Sequence, residues 1–345
     1  MNNDNRFNPK NEKIKEVFLE MLENAKGRDP KTVQIYANAI QEFERFTSYK
    51  EFKTFNTKQA IEFKEHLASK KNQRTGEVIS KSYLRYATYL KQFFEWLAHQ
   101  KGYAKYIKYN DVQYFALTRN DRNRAQATGY QEGYEVSDII STIRKMPSDT
   151  PIEVRNRTMI SLCLLTTPRI SALQTARIGS IKCFKNQDAW AFVQNPQFVN
   201  TKFANHITAY FIGNVQDIYE NVFKWIEYLK SQGFTDKDPL FPRFEQSFAR
   251  DGLPALILEK KIIHSQTTIR NIFAKAFKDN DLPYYKPHSF RHSITRKANE
   301  MPNSSKWISA LNQNFGHKID SVIISSYGTI AEEKRGVVLK EFPLE

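Results

Sequence analysis

The sequence predicts a mainly α chain in two domains: an N-terminal helical bundle, then a mixed α+β domain with a small antiparallel sheet. Three observations predict it. Apolar residues recur at helical spacing over residues 12–100. Three short β-branched or aromatic runs, bounded by Asn, Gln, Lys and Pro, fall between residues 178 and 212. The 345 residues suffice for about two domains, each able to bury a core without a disulfide or metal staple.

Taken in order, Ile14, Val17, Phe18, Met21 and Leu22 mark a first helix. Asp29-Pro30 is a start signal for a second, with Val33, Ile35, Tyr36, Ile40, Phe43 and Phe46 as its apolar face. Asn56-Thr57 caps a third through Ile61, Phe63 and Leu67. Ser80 caps a fourth, with Tyr83, Leu84, Tyr86, Leu90, Phe93, Phe94 and Leu97. Short connections make these a bundle, and the first domain is expected over 1–115. Residues 116–134 are polar, basic and poor in aliphatics, as expected of a linker.

The second domain, 135–345, opens with a helix carrying Ile139, Ile140 and Ile143, and then a strongly apolar helix over Glu153–Leu165. Ile178–Phe184, Ala189–Gln194 and His206–Ile212 read as the sheet. Helices resume at about 214–231, 267–279, 289–300, 304–314 and 331–340.

Lys and Arg total 52 against 37 Asp and Glu, a net charge of +15. Residues 1–115 hold 21 cations and 14 acids, so +7 lies there and +8 downstream. A surplus spread over both domains points to one long polyanion touching both, most simply nucleic acid. A hydrophobic fraction of 40% excludes a disordered chain. No apolar run is long enough to span a bilayer, and the opening MNNDNRFNPKNEK lacks a secretory signal region. Two cysteines, Cys163 and Cys183, make no disulfide framework, so a reducing cytoplasm is expected.

The most informative segment is Lys286-Pro287-His288-Ser289-Phe290-Arg291-His292. His288 and His292 share a helix face, but Ser289 stands where a zinc protease has its Glu, so no metal site is expected. A His with an Arg three residues on is instead a donor set for a tetrahedral anion, and Arg can bind phosphate oxygens bidentately. Upstream, Thr166-Thr167-Pro168-Arg169 places an Arg just after the apolar helix. Downstream come Gly316-His317 and, ten residues on, Tyr327.

The ordered set Arg … His-x-x-Arg … Gly-His … Tyr resembles the tyrosine recombinase (phage integrase) family, and the resemblance covers the whole chain. It implies a SAM-like core-binding domain followed by a catalytic domain. It assigns Tyr327 as nucleophile, Arg169, Arg291 and His317 as phosphate ligands and His288 as proton acceptor. The family also has a Lys in a β-hairpin. Lys202 is the best match, with Lys182 and Lys185 as competitors. A phenol is a poor nucleophile, so cations that stabilise the pentavalent charge and a Lys that protonates the leaving 5′-oxygen suit the chemistry. A phosphotyrosine keeps the bond energy, so no metal and no other cofactor are expected.

The implied partner is double-stranded DNA carrying specific recombination sites. The protein is expected as a homotetramer in the synaptic complex, free to be a monomer in solution, in the cytoplasm at the nucleoid and not on a membrane. Ser80, Lys81, Ser82 and Arg85 at a helix N-terminus suit DNA phosphates. Arg119, Arg122 and Arg124 suit a linker lying along the backbone.

Integration and excision of a mobile element is the leading role. The alternatives are Xer-like resolution, a type IB-like topoisomerase and a decayed DNA-binding protein. Three features depart from the family pattern: Thr167 replaces a Gly, Ala172 replaces an acid, and the His317-to-Tyr327 gap is one residue longer than in many members. The apolar tail after residue 330 fits docking either on its own domain or on a neighbouring subunit.

Overall fold

The computed structural model describes residues 7–70, 80–126, 133–248, 254–316 and 330–345. The chain forms two compact units, Met1–Tyr130 and Gln131–Glu345.

The first unit is helical, with α1 (Pro9–Glu20), α2 (Pro30–Phe46), α3 (Thr57–Ser69), α4 (Ser80–Leu97), α5 (Tyr109–Val112) and α6 (Arg119–Gln126). Local chemistry sets the helix starts. Asn8 accepts from the first-turn amides of α1, and Asp29 does so for α2, where Pro30 removes an amide that would have no partner. Asn56 and Gln59 make a reciprocal capping box at α3. The core is aromatic. Phe55, Phe94 and Phe115 form a mutually stacked trio with centroids 4.2, 5.3 and 5.6 Å apart, and Phe43 meets Phe63 and Phe94 edge-on.

Not every residue of the apolar pattern is inside. Val17, Ile35 and Ile61 are exposed, because each flanks the buried stripe rather than lying on it. The segment 116–134 contains a helix, α6, which packs on α4. Thr118 and Asp121 explain it: the carboxylate accepts from the Thr118 amide at 2.9 Å, and the Asp121 amide donates back to Thr118 Oγ1 at 3.1 Å.

The second unit is built around α8 (Pro151–Thr166), buried continuously from Thr158 to Thr166. Thr150 and Glu153 form its capping box, and Pro151 opens it. Around it lie α7 (Val136–Lys145), α9 (Ile170–Thr175), α10 (Gln216–Ser231), α11 (Gln266–Lys278), α12 (Ser289–Glu300) and α13 (Ser304–Asn314). The sheet runs β1 (Ile181–Phe184), β2 (Ala189–Gln194), β3 (Ile207–Tyr210) in antiparallel order, with Phe192 opposite Ile181 on one side and Ala209 on the other.

A second ribbon, β4 (Pro242–Phe248) with β5 (Pro254–Ile262), was not expected from the sequence. Its charged residues Arg243, Glu245, Glu259, Lys260 and Lys261 mask the apolar alternation. Buried Arg155 anchors it, donating to Pro242 O at 2.9 Å with its guanidinium 4.9 Å from the Phe244 ring centroid.

The C-terminal helix α14 (Glu332–Lys340) and the tail dock on their own unit. Leu339, Phe342 and Leu344 are buried in its core. Gly336 permits this approach: its amide donates to Gln187 Oε1 at 2.8 Å, and a Cβ there would lie 2.9 Å from the Ala189 Cβ. Among the described residues, no helix is long and apolar enough to cross a membrane.

Candidate active site

The end of α8 places Arg169. The helix closes with the Thr167 amide donating to Cys163 O at 2.9 Å. Thr167 itself lies in the left-handed region, φ +42° and ψ +49°. A β-branched residue is costly there, on the order of 1–3 kcal/mol. Pro168 disfavours right-handed helix at the residue before it, so α8 stops here. The turn delivers Arg169, half-buried, as the residue that opens α9.

The same turn aims a carbonyl. Arg291, buried in the first turn of α12, donates from Nε to Thr167 O at 2.7 Å and from Nη1 to Phe315 O at 3.3 Å. Its guanidinium sits 4.8 Å from the Phe315 ring centroid. These carbonyls fix the orientation of the fork without neutralising its charge. Burial, and then the like charge of Arg169, pulls Arg291 down to about 10. Burial lowers Arg169 as well. Both stay cationic at neutral pH, in surroundings that favour an arriving anion.

His288 stands at the N-terminal edge of α12, exposed, with its ring edge-on to His292 at 5.3 Å. Spacing of three places it on the same side of the helix as Arg291. Among the described residues, no group of three or more His, Cys, Asp or Glu is placed to hold a metal ion.

Lys202 lies in the connection between β2 and β3, exposed. Two contacts tie this connection to the other site elements. The Asn200 amide donates to Thr175 Oγ1, at the far end of α9, at 2.8 Å. Ile207, which starts β3, packs on Gly316 so closely that a Cβ there would come within 2.5 Å of its Cδ1. Lys185 lies in the β1–β2 connection and Lys182 within β1.

His317 and Tyr327 lie outside the described residues, but their flanks are described. Phe315 and Gly316 are fixed against Arg291 and Ile207. On the other side, Gln313 faces the Ile330 backbone; with its amide assigned in the orientation that satisfies both groups, it donates to Ile330 O at 2.9 Å and accepts from Ile330 N at 3.0 Å. Its neighbour Asn314 clasps Tyr210 of β3 in the same way, at 2.7 and 3.0 Å. Both flanks are thus held at the end of α13.

In the first unit Arg85, Arg119 and Arg122 are exposed. The side chains of Ser80, Lys81, Ser82 and Arg124 lie outside the described residues.

The profile of the phage integrase family matches residues 132–334, and that of the phage integrase N-terminal SAM-like domain matches residues 14–128. The chain belongs to the phage integrase family. It is a tyrosine site-specific recombinase.

Solved structures share its fold. The XerH recombinase bound to its difH substrate before cleavage is 13% identical, with a TM-score of 0.58 over 92% of this chain and 81% of that one. A lambda integrase dimer bound to a core site is 14% identical, with a TM-score of 0.56 over 92% and 94%. The Tn1549 transposon integrase in complex with transposon right-end DNA is 14% identical, with a TM-score of 0.51 over 93% and 96%. No curated protein matches the chain.

The departures from the integrase pattern now have physical content. Thr167 keeps the left-handed backbone that a Gly adopts without strain. Ala172 is fully buried in the core, and the carbonyls of Thr167 and Phe315 hold the Arg291 fork. Sequence reasoning missed both carbonyls. The only local signals were the Thr-Pro step at 167–168 and the Phe-Gly step at 315–316.

Proposed function

We propose that this recombinase breaks and rejoins duplex DNA at specific sites through Tyr327, to integrate or excise a mobile element. The observation that carries the reading is the Arg169–Arg291 pair. Its two forks are in electrostatic reach of each other, and the carbonyls of Thr167 and Phe315 orient the buried Arg291 fork. A site of that kind suits the two non-bridging oxygens of a phosphodiester.

Tyr327 attacks phosphorus with His288 taking the phenol proton, and His317 donates a hydrogen bond to the phosphate. Lys202 protonates the leaving 5′-oxygen. The products are a 3′-phosphotyrosine and a free 5′-hydroxyl. Attack by another 5′-hydroxyl then reverses the step, so no external energy source is needed.

Arg85, Arg119, Arg122 and Arg124, with Ser80, Lys81 and Ser82, contact the phosphate backbone outside the cleavage point. The assembly on two sites is a homotetramer, as in the lambda integrase tetramer bound to a Holliday junction. The working compartment is the cytoplasm, at the nucleoid.

The test is strand exchange in chelator between two duplexes bearing the element's ends. Recombinant joints are expected from paired sites. Relaxation of a single-site supercoiled circle with no joints from paired sites would assign the chain to topoisomerase chemistry instead.

A further inference from the structure

The β2–β3 connection holds two large apolar side chains that the mechanism does not use. Phe203 is 77% exposed and Phe198 is 61% exposed, the two most exposed large apolar residues among those described in the second unit. A single exposed apolar residue is ordinary, but two phenyl rings on one short connection mark a candidate contact surface.

The connection is built to present them. The Phe198 and Val199 amides donate to Asn195 O at 3.0 and 2.8 Å, and the Gln197 amide donates to Asn195 Oδ1 at 3.0 Å. Val199 is buried in the core, and the Asn200 amide is bonded to Thr175 Oγ1. Beyond that anchor, Phe203 and Ala204 both adopt left-handed backbone, φ +60° and +50°. Two successive non-glycine residues in that region are a strained pair. The Lys202 ammonium lies 4.8 Å from the Phe203 ring centroid.

Charge narrows the partner. From Ala189 to Gln216 the chain carries no carboxylate. The same connection carries Asn195, Gln197, Asn200, Lys202 and Asn205, and of these the Lys202 ammonium is placed over a ring. Amides and a cation beside exposed aromatic faces suit base edges, phosphates and base stacking.

We infer that Phe203, with Phe198 in the same connection, is a wedge that stacks into an opened base step of duplex DNA beside the strand break. The inference rests on the reading of the chain as a DNA recombinase with Lys202 at the leaving oxygen. Apolar wedges of this kind unstack a step and kink the duplex, and the bend lets more protein surface meet DNA. The wedge makes the deformability of that step part of site choice, so flexible pyrimidine–purine steps are favoured there.

The experiment uses the full chain and a site selected from random duplex DNA by binding, with 2-aminopurine placed at each step in turn. Wild type is expected to raise the emission several-fold at one step near the break. Phe203→Ala removes most of that rise and weakens binding about tenfold. Affinity returns when the same step carries a mismatch, because the unstacking is then already done. Phe198→Ala acts in the same direction, and the double variant abolishes the rise.

The inference is overturned if the double variant gives the wild-type rise, if wild type gives none at any step, or if intact and mismatched duplexes lose affinity equally. A tenfold loss of self-association with unchanged emission would assign the rings to a second copy of the chain and equally overturn it. Strand cleavage is read on the same duplexes. Emission without any cleavage sinks the recombinase reading and leaves the wedge, while cleavage without emission does the reverse.

Discussion

Arg291→Ala is expected to lower single-turnover DNA cleavage by about 10³-fold or more while DNA binding changes only a few-fold. Removing one preorganised donor from a charge-developing site costs roughly 10²–10³ in rate. Arg291 offers a fork and a full charge in a buried setting, so its loss belongs at the upper end. Binding is spread over many phosphate contacts and a surplus of +15, so one buried cation contributes little to it.

Arg291→Lys separates charge from geometry. An ammonium keeps the charge but cannot reach Thr167 O and Phe315 O and still present two donors to phosphate. It is expected to recover little of the rate. Melting temperature and filter binding, measured alongside, separate a chemical defect from unfolding. Normal cleavage by either variant would remove Arg291 from the active site.

Lys202→Ala is expected to lower cleavage by roughly 10²–10⁴, the range of general acid catalysis. The loss has a chemical signature. A substrate with sulfur in place of the bridging 5′-oxygen departs as a thiolate and needs no proton. On that substrate Lys202→Ala is expected to cleave within a few-fold of wild type, while Arg291→Ala stays slow. If Lys182→Ala or Lys185→Ala shows this rescue and Lys202→Ala does not, the acid has been placed on the wrong lysine. The β2–β3 connection favours Lys202, because it is tied to both α9 and the Gly316 approach.

What the sequence made legible was local. Asp29-Pro30 and Asn56 start helices through contacts within a turn, and such contacts are written in the residues themselves. The three runs that pair as β1, β2 and β3 stood out by their bounds and β-branched content. The β4–β5 ribbon was missed, since cross-strand pairs such as Arg243 with Glu259 look like ordinary surface charge along the chain. Its anchor, Arg155, lies 87 residues away.

The candidate site divides the same way. Arg169, His288 and Arg291 are visible as residue types at fixed spacing. That Thr167 O and Phe315 O steer Arg291 was not visible, because a carbonyl acceptor has no side-chain signature. Nor did the left-handed Thr167 announce itself, because a β-branched residue argues against the conformation it adopts. The tail's docking on its own unit depends on Gly336 meeting Gln187 and Ala189, a match between segments about 150 residues apart.

Tyr327 is the proposed group that attacks DNA. The direct measurement is covalent trapping, in chelator, on a duplex of the element's end nicked near the crossover, followed by digestion and mass analysis of the DNA-linked peptide. An adduct through Tyr327 that disappears in Tyr327→Phe is expected. An adduct that persists in Tyr327→Phe, or a linked peptide that carries Tyr284 or Tyr285 instead, would contradict it.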